Sequence, residues 1–183
     1  MKIRLIILAT IMIIPWTAYA HPESGFLPDA IAEMEYKIVL EITPGDIETR
    51  NKLGIVLYRK NKLKEAEKEF SEVLKTVPGN FDAHDGMGLV KTREKKYDEA
   101  VKWFKRAIAI FNEDTMVHYH LGLAYEKISN FADAENSYKK ALEINNILIQ
   151  KGINKETEIS KKDILLSALK NLQSRIKAVT AGK

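Results

Sequence analysis

IETRNKLGIVLYRKNKLKEAEKEFSEVLKTVPGN, residues 47–80, is followed without a gap by FDAHDGMGLVKTREKKYDEAVKWFKRAIAIFNED at 81–114 and TMVHYHLGLAYEKISNFADAENSYKKALEINNIL at 115–148. The three segments share one register. Leu53-Gly54, Met87-Gly88 and Leu121-Gly122 come early, then Ala66, Ala100 and Ala134, then Phe70, Phe104 and Tyr138, then Val73, Ala107 and Ala141. A fixed period of this kind means one supersecondary unit stacked on copies of itself, because no single copy can bury its own apolar face. Glycine inside a helix costs ~1 kcal/mol relative to alanine, so three glycines in phase need a reason, and close approach of two helices supplies it. The phased alanines admit the facing helix in the same way.

This pattern resembles the tetratricopeptide repeat, a pair of antiparallel helices per copy, and the resemblance covers more than half of the chain. The chain departs from the family at the fourth position, usually Trp, which is Arg50, His84 and His118. The eleventh position is Leu57, Lys91 and Tyr125, and the closing proline stands only as Pro78. The resemblance implies an all-α solenoid of helix-turn-helix repeats. Extending the register backwards puts Ala32, Tyr36, Val39 and Pro44 where Ala66, Phe70, Val73 and Pro78 stand. Residues 29–46 are therefore read as the second helix of a half repeat, ahead of three full repeats at 47–80, 81–114 and 115–148. Residues 21–28, with two prolines and a glycine, cannot supply the missing first helix and are read as extended.

Residues 149–183 are read as a linker and a capping helix. Asn146 replaces the closing proline, so the preceding helix is expected to run on through Ile149, and residues 151–159, with Gly152 and little periodicity, to form a loop. Ser160 with Asp163 gives a capping-box signature, after which Ile164, Leu165, Ala168, Leu169, Leu172, Ile176 and Val179 follow one helical face. Such a helix would cover the open end of the last repeat.

At the other end, Lys2 and Arg4 precede a short apolar run, then Pro15 and the Ala18-Tyr19-Ala20 tripeptide. A basic start, a short apolar stretch and small residues read as a secretory signal peptide over residues 1–20, with the mature chain beginning at His21. An uncleaved anchor is the rival reading, but a membrane span needs ~20 apolar residues and this run is about half that. The expected location is a bacterial periplasm or an equivalent extracytoplasmic compartment, without stable membrane insertion after cleavage. The chain has no cysteine, which excludes disulfides, thiolate metal sites and a cysteine nucleophile. Residues 151–183 hold eight Lys or Arg against three Asp or Glu, a basic tail that reads as a solvated helix face or a contact for an anionic surface or partner. Export and the lack of interleaved aromatic and basic residues argue against nucleic acid.

Two surfaces are candidates for binding. On the half-repeat helix, Ile31, Met34, Ile38 and Ile42 form one stripe, whereas the matching positions of the first full repeat are Glu65, Lys68, Glu72 and Thr76. Asp29, Glu33, Lys37 and Glu41 are left for water. An apolar terminal face is expected to be an interface with another chain or another copy. The alternative is that Phe26 and Leu27 fold back and cover it. The second surface is the concave groove, where the family resemblance implies a protein-binding lining that includes Asn51, Ile55, Tyr58, Arg59, Asp85, Leu89, Arg93, Tyr119, Leu123 and Lys127. The cations Arg59, Arg93 and Lys127 recur at one position, so either they receive an acidic segment or they pair with Glu48, Asp82 and Glu126 within the groove.

No constellation for catalysis, metal or cofactor is visible. His118 and His120 lie two apart on a helix and point to different sides, and His84 and His118 are equivalent positions read as core-edge residues. The expected role is a protein-binding scaffold that assembles an envelope complex and self-associates through its first helix. The alternative is a periplasmic chaperone-like carrier of exported polypeptides, of the cytochrome or pilus assembly type.

Overall fold

A computed structural model of the protein describes residues 28–181, and those residues form eight α-helices joined by short turns. They are α1 (Asp29–Ile42), α2 (Ile47–Arg59), α3 (Leu63–Thr76), α4 (Phe81–Arg93), α5 (Tyr97–Ile110), α6 (Thr115–Lys127), α7 (Phe131–Lys151) and α8 (Lys155–Ala181). The fold is an all-α solenoid of paired helices. The signal sequence expected at residues 1–20, and Phe26 and Leu27, lie outside the described residues.

Local chemistry sets the helix boundaries. Asp46, Asn80 and Asp114 each precede a first helix of a repeat, and their side chains accept from Thr49, Ala83 and both Met116 and Val117 backbone N–H groups. These caps occupy donors that a helix start leaves without an intrahelical partner. Between the two helices of each repeat the chain turns through a left-handed residue, Asn61, Lys95 or Ser129, with φ of 60°, 63° and 61°.

Each helix packs on the next, and α2 also touches α4, as α4 touches α6. The first helices of the repeats therefore line the inner, concave side. Between the layers lie Phe70, Phe104 and Tyr138, all fully buried. Their rings fill the spaces that glycines leave open: a Cβ added to Gly54 would sit 2.6 Å from the Phe70 ring, and one added to Gly122 would sit 2.5 Å from Tyr138. Gly86 faces Phe70 from the next repeat, where a Cβ would lie 2.4 Å from the ring.

The unusual fourth position has a structural role. Arg50 donates from Nη2 to the Pro44 carbonyl at 2.8 Å, and the Nε2 atoms of His84 and His118 lie 2.9 Å and 3.0 Å from the Pro78 and Asn112 carbonyls. A carbonyl only accepts, so each imidazole carries its proton on Nε2. All three side chains reach six residues back and tie the turn between repeats to the following helix. At the eleventh position Leu57, Lys91 and Tyr125 all point inward. The buried Lys91 ammonium is matched by Glu67 at 2.5 Å and Glu94 at 3.3 Å. Burial alone would lower its pKa, but the two carboxylates hold it above the ordinary lysine value.

The loop expected at residues 151–159 is much shorter. Helix α7 continues to Lys151, Gly152 caps it in the left-handed region at φ 71°, and α8 already begins at Lys155. Ser160 is not a cap; it lies inside α8 and donates from its hydroxyl to the Thr157 carbonyl. The first turns of α8 are held by Glu158, which is buried, accepts from Thr115 Oγ1 and Asn145 Nδ2 at 2.8 Å each, and pairs with Lys161. Further along, Leu165 and Leu172 are fully buried, whereas Ile164 and Val179, expected on the same face, are half exposed.

Candidate functional site

The concave side is divided. At its N-terminal end α1, α2 and α4 enclose a groove of about 710 Å³ that includes Tyr36, Asn51, Ile55, Arg59, Asp82 and Asp85 in its lining. At the C-terminal end α8 lies across the inner face, and Tyr119 and Leu123 line a separate crevice of about 510 Å³ with Ile164 and Ala168. Of the ten residues expected to line one continuous groove, Asn51, Ile55, Arg59 and Asp85 are brought together in the first space. Tyr119 and Leu123 stand in the second. Tyr58, Leu89, Arg93 and Lys127 line neither.

The recurring cations do not act as one set, and the partners seen for Arg59 and Arg93 are not the groove acids Glu48 and Asp82. Arg59 donates to Asp29 Oδ1 of α1 from Nε at 2.9 Å and Nη2 at 2.5 Å. Arg93 donates to the Tyr58 carbonyl at 2.7 Å and lies 3.9 Å over the Tyr58 ring, a cation–π contact. Among the described residues nothing pairs with Lys127, while Glu126 binds Arg175 of α8 and accepts from the Tyr138 hydroxyl. The partners come from other helices, so their proximity is a product of the fold.

The acids dominate the N-terminal groove. Glu35, Glu48, Asp82 and Asp85 stand along it against Lys52 and Arg59. Lys52 pairs with Glu48 at 2.5 Å, and Asp85 lies 3.1 Å from His120 Nδ1. Asp82 reaches solvent, yet loss of water around it and then the charges of Asp85, Asp114 and Glu48 raise its pKa above the usual carboxylate value. Among the described residues no three His, Asp or Glu side chains are grouped to hold a metal ion.

The other candidate surface is on α1. Met34, Ile38 and Ile42 are 60%, 50% and 77% exposed, while Ile31 is half-buried. The opposite flank, Ala32, is buried. Glu33 does not face water as expected: it is 6% exposed and is ringed by Lys37, Lys60 and Lys62 at 2.6, 2.6 and 2.7 Å. The hydrogen bond from Lys37, then those from Lys60 and Lys62, pull its pKa down to about 2. This cluster, invisible in the helical wheel, fastens α1 to the turn after α2. The stripe is thereby held on a fixed helix. No helix among the described residues is long and apolar enough to cross a membrane.

Comparison with protein families matches residues 81–146 to the tetratricopeptide repeat. No curated protein matches the chain. Among solved structures, MamA 41-end from Desulfovibrio magneticus RS-1 is 22% identical, with a TM-score of 0.57 over 79% of this chain and 87% of that one. The type III secretion translocator chaperone SycD of Yersinia enterocolitica is 18% identical, with a TM-score of 0.62 over 70% of this chain and 92% of that one. PcrH in complex with the chaperone binding region of PopD is 14% identical, with a TM-score of 0.62 over 70% and 91% of the two chains. At these identities the likeness is one of fold.

Proposed function

Because the chain is a tetratricopeptide-repeat protein with an apolar terminal helix face and an open groove, we propose that it is an exported interaction scaffold. It holds together a multiprotein complex of the cell envelope, self-associates through α1, and carries out no chemistry of its own. The observation that carries this reading is the exposed row Met34, Ile38 and Ile42 on the terminal helix. Full burial of such side chains contributes ~1.5 to 3 kcal/mol each, so a partner surface that covers them gains several kcal/mol. Replacing Met34 with Lys and Ile38 with Glu copies the residue types of the first full repeat. Sedimentation of the double variant should show a monomer of unchanged helicity where the native chain sediments as a larger species. A native chain that is monomeric, with partner capture intact in the variant, would sink the interface.

Export rests on the sequence of residues 1–20, and the intact mass of the protein from its native host tests it. The processed form should begin at His21; a chain retaining Met1 overturns cleavage and with it the freely exported form. A second reading, a chaperone-like carrier of exported polypeptides, draws support from the fold shared with the translocator chaperone and with PcrH, which was solved holding a segment of PopD. The two readings differ in the state of the bound protein. A scaffold co-purifies with folded partners in fixed ratio, whereas a carrier holds an unfolded segment and releases it when the client folds.

A further inference from the structure

The N-terminal groove has unmatched acceptors of two independent kinds. Glu35 and Asp82 make no hydrogen bond or ion pair with any described residue, and both line the groove, as does Asp85. The cations there are already engaged, Lys52 with Glu48 and Arg59 with Asp29. The second kind is Asn51, 7% exposed and also part of the lining. Its amide NH2 donates to Asn80 Oδ1 at 3.0 Å, and its own Oδ1 is buried with no donor among the described residues. Buried amide oxygens are almost always satisfied, so this acceptor is one that a ligand N–H can complete. Tyr36, Ile55 and Val56 supply apolar lining, which suits the methylene stem of a long cationic side chain. Among the described residues these carboxylates are not grouped to hold a metal ion, which leaves a cationic side chain as the ligand their charge suits.

We infer that this groove receives a lysine- or arginine-bearing segment of a partner polypeptide, whose N–H groups donate to Asp82, Asp85 and Asn51 Oδ1. The inference rests on the groove being a protein-binding surface, as proposed above, and assigns the chemistry of its ligand. It reverses the polarity expected from Arg59, Arg93 and Lys127. Complementary charge of this kind steers association and weakens with salt.

Tetralysine and tetraglutamate, titrated separately into the 15N-labelled full chain at low ionic strength, test it. Tetralysine should shift the Asn51 side-chain amide resonances and tetraglutamate should not. The Asp82→Asn, Asp85→Asn double variant should bind tetralysine at least ~10-fold more weakly, the loss of about one charged contact's worth of binding energy. Asp85 also touches His120, so Glu35→Gln, a change at an exposed site, serves as the second variant and should weaken binding in the same direction. The inference falls if Asn51 is unmoved by tetralysine, if the variants bind as tightly as the native chain, or if tetraglutamate is the peptide that binds. That last result would leave a working protein-binding groove of opposite preference, so the broader reading would survive. If the same variants also disperse an oligomer in sedimentation, the occupant is the basic helix α8 of a second copy and the partner assignment is overturned.

Discussion

A methyl group added at Gly88 would place its carbon 2.3 Å from Cε1 of Phe104, a ring that is itself fully buried and has nowhere to retreat. Alanine would recover ~1 kcal/mol of helix propensity, but overpacking a filled core costs ~1 to 3 kcal/mol and more where the neighbour cannot move. Gly88→Ala should therefore lower the melting temperature, with a net loss of roughly 1 to 2 kcal/mol by the same two effects. Gly79→Ala, where a Cβ would meet nothing within 4 Å, should be neutral or slightly stabilising, and thermal melts of the pair check the contrast. The ring-on-glycine contacts of Gly54, Gly88 and Gly122 were legible in the sequence because their phase betrayed them. Gly86 was not, since its contact with Phe70 crosses from one repeat to the next and occurs once. Asn61, Lys95 and Ser129 were also hidden: they adopt φ near 60° where glycine would have signalled a turn.

Helix α8 shows how an element can be half legible. From Leu165 onward its apolar spacing declares it, but its first two turns are polar and their stability comes from Glu158 meeting Thr115, 43 residues away in sequence. Burial alone would raise the Glu158 pKa; hydrogen bonds from Lys161, Thr115 and Asn145 overcome that and hold it below its ordinary value of 4.5. Glu158→Ala leaves the Thr115 hydroxyl without its acceptor and Asn145 with only the backbone carbonyl of residue 158, at a cost of roughly 1.5 to 3 kcal/mol for a charged hydrogen-bonded group in a closed site. Hydrogen exchange should quicken in the first turns of α8 and in the C-terminal half of α7, while α4 and α5 remain as protected as before. Uniform loss of protection across all helices would mean that α8 does not open as a separate unit.

Across the whole molecule, the two end helices are fixed by carboxylates and the interior repeats by rings. Glu33 joins α1 to Lys60 and Lys62, Glu158 joins α8 to α6 and α7, and between them Phe70 and Phe104 carry no titratable group. The helix periodicity announced the rings but not the carboxylates, because beyond one lysine on its own helix each carboxylate draws its partners from other elements that only the fold brings near. The same reason hid the Arg59–Asp29 pair and led the sequence to suggest a cationic groove. Glu33 has its pKa lowered from 4.5 to about 2 in the folded chain, so its contribution is complete above 4.5 and is lost as pH falls from there toward about 2. His118 acts in the same sense at a higher window: burial lowers its pKa from 6.5, so folding loses stability once the pH drops below that value. Acid should therefore weaken the protein in stages, and Glu33→Gln isolates one of them. At neutral pH the variant should melt below the native chain, and the gap should hold down to pH 4.5 and then narrow as Glu33 takes up its proton. His118 is common to both chains and cancels from the difference. A gap that stays constant from neutral pH through that lower window would show that the lysine ring contributes by packing alone, and that α1 is not held to the solenoid by charge.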